Sequence, residues 1–311
     1  MKPRILVIRG GAIGDFILTL PALKLLREAF PAAHLEIVGY RHIVALAEGR
    51  GYADAARSIE YSAMAGFFAR GGTLAPELVE YFAGFHQVVS WLFDPDGIFE
   101  ANLRRAGVKN FLNAFAKIDD THHAAHQLAH PLQSLALYLD DPAATVHPSA
   151  ADRAFAAQFL DGETHAPIAI HPGSGSTRKN WPVTAWAELG IRLLAETPER
   201  RIVLVGGEAD RASLQILRDA WGARALVAQD LTLPHLAAVL EKCAAFLGHD
   251  SGISHLAAAV GTRCLLLFGP TDPTVWAPAN PQISVLRAPD GDLAKLDADC
   301  VWRVFREMSA R

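Results

Sequence analysis

Three short polar turns, each following an apolar run, carry the residue types that handle phosphate groups and proton transfer. The first to stand out is Phe246-Leu247-Gly248-His249-Asp250-Ser251-Gly252-Ile253-Ser254-His255-Leu256, where a strand-like run breaks and a helix-like run opens at once. A helix starting there presents unpaired backbone N–H groups and the positive end of its dipole, a setting suited to a diphosphate. Ser251 and Gly252 let the backbone come close to such a ligand, although Asp250 or Ser251 could equally serve as a plain helix cap. The second turn is His171-Pro172-Gly173-Ser174-Gly175-Ser176-Thr177-Arg178-Lys179-Asn180-Trp181-Pro182. Ser174, Ser176 and Thr177 supply hydroxyls and Lys179 supplies a point charge for phosphate, while a solvated surface loop is the plainer alternative. The third turn, Gly10-Gly11-Ala12-Ile13-Gly14-Asp15, ends on a carboxylate. Asp15 could take a proton from an incoming hydroxyl by virtue of its position, or only cap the helix that follows. Glu208, just past the run Ile202–Val205, could accept from a ribose diol or simply favour a helix start. Together these turns suggest one phosphate-rich ligand.

Several chemistries are disfavoured. The turn at Gly10 lacks the G-x-G-x-x-G spacing, and Val38-Gly39-Tyr40-Arg41 has no acid for a ribose, which argues against a nicotinamide dehydrogenase. These turns contain no Asp-x-Asp motif, so at a diphosphate Lys179 with helix dipoles would have to do a cation's work. His122, His123, His126 and His130 read as one helix with His122, His126 and His130 on a shared face. Without an acid cluster that face reads as solvated or partly packed rather than as a metal site.

With a net charge of −4 there is no electrostatic reason to propose a nucleic-acid partner. The basic residues Arg41, Arg57, Arg70, Arg104, Arg105 and Lys109 are scattered. Of the aromatic residues, Trp91, Phe93, Phe67, Phe68, Tyr81 and Phe82 could line a groove, with core packing as their plainer use. Cys243, Cys264 and Cys300 offer neither a zinc motif nor a disulfide frame and fit a reducing cytoplasm. The apolar run at the start is too short for a signal peptide and no other run could span a bilayer, so a cytoplasmic location is expected.

The turns need a scaffold. Apolar runs at 5–8, 35–38, 88–92, 168–170, 202–205, 246–247 and 264–268 alternate with helix-length segments at 16–30, 185–196, 209–221, 234–242 and 254–260. Strand, helix, strand in repetition predicts parallel sheets with helices on both faces. The pattern restarts after turn-rich stretches within about residues 140 to 166, bracketing one short helix, 150–159. This predicts an α/β protein of two Rossmann-like doubly wound domains, 1–155 and 156–311, facing a central cleft that gathers all three turns. The segment from about 293 to 311 has helical spacing that would let it pack back on the first domain.

Taken together, these motifs resemble glycosyltransferase family 9, the bacterial heptosyltransferases of the lipopolysaccharide inner core. The resemblance is carried by Gly14-Asp15 with Leu20-Pro21-Ala22-Leu23, by His171-Pro172-Gly173 with Lys179-Asn180-Trp181-Pro182, and by Asp250-Ser251-Gly252-Ile253-Ser254-His255 followed by Phe268-Gly269-Pro270-Thr271-Asp272-Pro273. It implies a GT-B fold, an inverting transfer from ADP-heptose to a saccharide or glycolipid hydroxyl, and no cofactor or bound metal. On that likeness Asp15 is the catalytic base, Gly14 beside it and Ser174 belong to the donor-binding set, and Lys179, also catalytic, contacts the diphosphate with Ser176 and Thr177. Glu208 contacts the ribose, and Asp250, Ser251, Gly252 and His255 form the donor-binding turn. A lipid-linked acceptor would bring the protein to the inner membrane face. Two other readings stay open: a GT-B nucleotide-sugar 2-epimerase, and a silent nucleotide-sugar-binding protein.

Overall fold

A computed structural model describes residues 2–309 of the chain, which divides into two compact units after Pro142. The first unit runs β1 (Arg4–Arg9), α1 (Ile13–Ala29), β2 (His34–Gly39), α2 (Arg41–Val44), β3 (Ala55–Ser58), α3 (Pro76–Ala83), β4 (Gln87–Ser90), α4 (Ile98–Arg105), β5 (Phe111–Asn113) and α5 (Ala124–Ala129). Its five strands are parallel in the order β3-β2-β1-β4-β5. β1 lies at the centre because Leu6, Val7 and Ile8 are apolar on both faces and fully buried, as a strand covered by helices on each side must be. One face packs Leu6, Ile8 and Val88 against Phe67, Phe82, Phe99 and Leu103.

The second unit runs α6 (Ala150–Phe159), β6 (Ile168–Ile170), α7 (Val183–Glu196), β7 (Ile202–Gly206), α8 (Arg211–Trp221), β8 (Ala225–Gln229), α9 (Leu233–Glu241), β9 (Ala245–His249), α10 (Gly252–Ala259), β10 (Cys264–Phe268), α11 (Pro273–Trp276), β11 (Ile283–Arg287) and α12 (Ala298–Ser309). Six parallel strands lie in the order β11-β10-β9-β6-β7-β8. Both units therefore repeat the doubly wound order in which the chain starts in the middle of the sheet and reverses direction there. No described helix is long and apolar enough to cross a membrane.

Four strands escape the sequence pattern: β3, β5, β8 and β11, each at a sheet edge. Edge strands pair on one side only and face water on part of their surface, so Ala55-Ala56-Arg57-Ser58 or Ile283-Ser284-Val285 lack the unbroken apolar run of a central strand. The boundary also moves. A division at residue 155 would cut α6, whose Arg153 pairs with Glu241 of α9 at 2.7 Å and whose Phe155 stacks on His235, ring centroids 4.0 Å apart. These contacts place α6 in the second unit, which begins at Ala143.

The last helix corrects a further expectation. The apolar stripe of α12, Val301, Trp302, Phe305 and Met308, lies in the core of the second unit beside Trp186, Leu189 and Leu265. Arg192 of α7 pairs with Asp299 and lies over the Trp302 ring, 4.8 Å from its centroid. Spacing alone reveals an apolar stripe, not which surface receives it. Residues 310 and 311 lie outside the described part.

Packing of α7 on α8 depends on Gly190, where an added Cβ would come within 2.2 Å of the Trp221 ring. Trp221 cannot retreat easily, because it is buried and its Nε1 donates to Ala187 O at 3.2 Å. Gly190→Ala is expected to destabilise the fold by about 1–3 kcal/mol through this overlap, against the small helix-propensity gain of alanine. Urea unfolding of the two proteins checks it; equal midpoints would mean the helices move apart freely.

Candidate active site

Open α/β sheets take ligands outside the carboxyl ends of the strands where strand order reverses. In the second unit that point lies between β6 and β9. The loops leaving these two strands are the His171–Pro182 turn and the Asp250–Gly252 turn, so the fold itself brings two of the three motifs together. Ser251 is the N-cap of α10, its Oγ accepting from Ser254 N at 3.3 Å, which leaves the earliest helix amides for a ligand. Asp250 does not cap. Its Oδ2 accepts from Lys179 Nζ at 2.6 Å and from Thr271 Oγ1 at 2.7 Å. The Lys179 ammonium is thus held at the head of α10 by one of its three donors, with the others available to phosphate oxygens.

The remaining expected donor contacts fall into different positions. Ser174 is a brace inside its own loop: its Oγ lies 2.7 Å from both Ser176 O and Asn180 Oδ1 and accepts from Ser176 N at 3.2 Å. Ser176 precedes the single helical turn Thr177–Lys179 and accepts from Lys179 N through its carbonyl, while Thr177 is exposed. Gly252 is the first residue of α10, and His255 is buried on the same helix. Glu208 opens a short turn after β7 with its side chain exposed.

Two histidines that the motif reading left without a role fasten this loop. His249, fully buried at the end of β9, accepts from Trp181 N at Nε2 (2.8 Å), so its Nδ1 carries the hydrogen and faces Gly173 O at 3.3 Å. Trp181 Nε1 in turn donates to Leu296 O at 2.9 Å. His171 faces Asp210 at 3.5 Å through Nε2 and Ser251 Oγ at 3.4 Å through Nδ1. Burial opposes the charge on Asp210, but hydrogen bonds from His171 and from Gly207 N–H outweigh it and hold this carboxyl below its ordinary pKa. Gly173 lies so close that a Cβ there would fall 1.8 Å from Asp210 Oδ1. Loops from β6, β7 and β9 are tied into one rigid rim. Thr271 lay within a recognised motif, and His249 stood beside Asp250, yet no pattern in the sequence says which partners they reach.

Burial pushes the His249 pKa down from 6.5 to about 3, so this ring is neutral in the fold and protonates near neutrality only when unfolded. The unfolded chain then binds the extra proton, and stability falls as pH drops through the window from about 6.5 to about 3, by about 1.4 kcal/mol per unit from this group. In His249→Asn that slope is expected to vanish while the amide still offers an acceptor to Trp181. Urea unfolding at pH 7, 6 and 5 checks the sign; a wild-type-minus-variant difference independent of pH would contradict it.

In the first unit the reversal lies between β1 and β4. Asp15 is the third residue of α1, and its Oδ2 accepts from Ala12 N at 3.1 Å, a cap that Ala12 itself cannot supply. Its backbone carbonyl accepts from Arg9 Nη2 at 3.0 Å and from Thr19 Oγ1 at 2.7 Å, and Arg9 Nε donates to Thr19 Oγ1 at 2.9 Å. Burial lowers the pKa of the Arg9 guanidinium, and the nearby Asp15 charge offsets part of that. Gly11 has φ +99°, and a Cβ there would lie 3.1 Å from Asp15 Oδ2, so glycine both permits the turn and leaves the carboxylate open. Gly14 sits in the same first helical turn.

A cavity of about 530 Å³ opens at these strand ends, lined by Arg9, Gly10 and Gly11, by Trp91 and Leu92, and by the rings of Phe68, Phe93 and Phe115, among others. The aromatic residues thus divide: Phe67 and Phe82 are core, Tyr81 donates to Glu36 at 2.9 Å, and Phe68 and Phe93 face the cavity with the buried Trp91. The histidine expectation is corrected. α5 spans only Ala124–Ala129; His123 is its cap, accepting from Ala125 N at 3.2 Å, and His130 opens a separate turn before Pro131. His122 therefore lies off the helix, and no group of three or more His, Cys, Asp or Glu able to hold a metal forms among the described residues.

Two parallel doubly wound units, each with glycine-bearing turns at its switch point, make this a protein of the GT-B fold class. The solved glycosyl transferase family 9 structure from Veillonella parvula matches with a TM-score of 0.82 at 20% identity, covering 99% of this chain and 97% of that one. The Escherichia coli heptosyltransferase WaaC, solved with ADP, matches with a TM-score of 0.74 at 21% identity, covering 98% and 99%. The chain belongs to glycosyltransferase family 9 (heptosyltransferase), whose model matches residues 102–304. It is similar to lipopolysaccharide heptosyltransferase 1 of Escherichia coli, 31% identical over 129 residues, which is 42% of this chain and 39% of that relative. The matched stretch thus spans about two fifths of the relative's length.

Proposed function

We propose that this protein transfers heptose, or a related sugar, from ADP-heptose to a saccharide hydroxyl with inversion and without a bound metal, in lipopolysaccharide core or other surface-glycan synthesis. The observation that carries this reading is the second unit's switch point, where the Lys179 ammonium and the head of α10 converge. Such a place stabilises a departing diphosphate as its negative charge grows. The acceptor oxygen attacks the anomeric carbon, its proton passes to Asp15, and the bond to the diphosphate oxygen breaks with its electron pair leaving on ADP. Lys179 would do the work that a divalent cation does elsewhere. Support also comes from the family and from the likeness to heptosyltransferases of lipopolysaccharide synthesis. A lipid-linked acceptor would bring the protein to the inner membrane face from the cytoplasm.

The test is incubation of the protein with ADP-heptose, with and without saccharide acceptors, followed by NMR of donor and product. Transfer that inverts the anomeric centre and persists in a chelator is the expected result. Conversion of the donor alone would mark an epimerase, and tight ADP-sugar binding with no transfer to any acceptor would mark a binding protein.

A further inference from the structure

We propose that Thr271 is a positioning residue for the donor, holding Lys179 at the head of α10 by sharing the Asp250 carboxylate oxygen that the ammonium binds. This rests on the reading of Lys179 as the group that meets the diphosphate, and it brings a further loop to the same task. β10 lies beside β9, so the loop 269–272 leaves the sheet next to the Asp250 turn. Thr271 Oγ1 donates to Asp250 Oδ2 at 2.7 Å, and Lys179 Nζ donates to the same oxygen at 2.6 Å. The hydroxyl hydrogen is thereby spent on a carboxylate and is not one that a phosphate oxygen receives. Thr271 therefore acts through Asp250 and Lys179.

A carboxylate oxygen offers two lone pairs in its plane, and hydrogen bonds to a charged group are among the stronger ones. With Thr271 on one lone pair, the ammonium is left the other. Without the hydroxyl, Nζ is free to slide between Oδ1 and Oδ2 and to spend on Asp250 a second donor that a phosphate oxygen would otherwise receive. The Asp250 side chain is only 10% exposed, so bulk water is a poor substitute for the missing hydroxyl. Backbone on both sides of Thr271 fixes where it stands. Gly269 passes so near the following chain that an added Cβ would lie 3.1 Å from Gly291 O and 3.2 Å from the Leu293 side chain. Asp272 caps α11, its Oδ1 accepting from Thr274 N at 2.8 Å, and Pro273 opens that helix. Residue 271 sits between these two anchors, so its hydroxyl is presented to Asp250 before any ligand arrives, which lowers the ordering cost of binding.

The experiment is a calorimetric ADP titration of the whole protein at fixed pH and salt, with melting temperatures measured alongside. Thr271→Val, which keeps the shape and loses the hydroxyl, and Thr271→Ala are each expected to weaken ADP binding about five- to tenfold while the melting temperature stays that of wild type. Thr271→Ser keeps the donor and should stay within about twofold of wild type. In a protein already carrying Lys179→Ala and Asp250→Asn, Thr271→Val should change ADP affinity by less than about twofold, because the pair it positions is gone. Wild-type ADP affinity in Thr271→Val, a Thr271→Ser protein as weak as Thr271→Val, or an equal loss from Thr271→Val with and without the Lys179 and Asp250 pair would each overturn the proposal. A wild-type protein that does not bind ADP would overturn the donor reading itself, and the role of Thr271 with it.

Discussion

Replacing Lys179 by alanine is expected to lower kcat by about 10²–10³-fold, on the scale of losing one preorganised donor to a developing anion. The structure makes the loss worse than the removal of one charge. Asp250 Oδ2 would keep Thr271 Oγ1 as its partner, so the variant places a poorly compensated carboxylate at the proposed diphosphate site. Asp250→Asn added to Lys179→Ala should therefore recover part of the lost rate, although Asp250→Asn alone removes a partner that holds the ammonium in place. A double-mutant cycle on kcat, with ADP affinity measured by calorimetry, tests this coupling. Near-normal turnover in Lys179→Ala would end the assignment of the diphosphate to this turn. Additive effects of the two substitutions would mean that the 2.6 Å pair plays no part in catalysis.

Asp15→Asn is expected to reduce kcat by about 10²–10⁴-fold while leaving the donor affinity and the fold almost unchanged. Asparagine is nearly the same size, and its Oδ1 can still accept from Ala12 N, so the cap on α1 survives. The surrounding brace survives too, because Arg9 and Thr19 bind the backbone carbonyl of residue 15 and not its carboxylate. What the substitution removes is a group able to take the hydroxyl proton. Initial rates with saturating acceptor and a calorimetric ADP titration separate the two contributions. A variant that lost rate and melting temperature together would show a structural part for Asp15, and one with full rate would show that another group removes the proton.

Gly11 illustrates how much of such a site can be read in advance. A glycine-bearing turn after an apolar run announces a backbone that must bend sharply at a strand's carboxyl end, and φ +99° with no room for a Cβ nearer than 3.1 Å to the Asp15 carboxylate is what that announcement becomes in three dimensions. Lys179 and Asp250 were legible as residue types in phosphate-handling turns. Their direct pairing was not, because 71 positions separate them and only the β6–β9 neighbourhood brings their loops together.

The amino-acid sequence by itself determined what depends on local pattern: the buried central strands, the glycine and serine turns that follow them, the short helix at 150–159 and the family motifs. Hydrophobic periodicity and turn chemistry are written over a few neighbouring residues, so a linear reading recovers them. Tertiary structure alone decided the edge strands, the receiving surface of α12, and which aromatic rings are core and which face a cavity. It also decided that His249 is a neutral clip between β9 and the Trp181 loop. These depend on which distant segment arrives as a neighbour, and a side chain's role changes from solvated to buried, or from free to paired, with that neighbour.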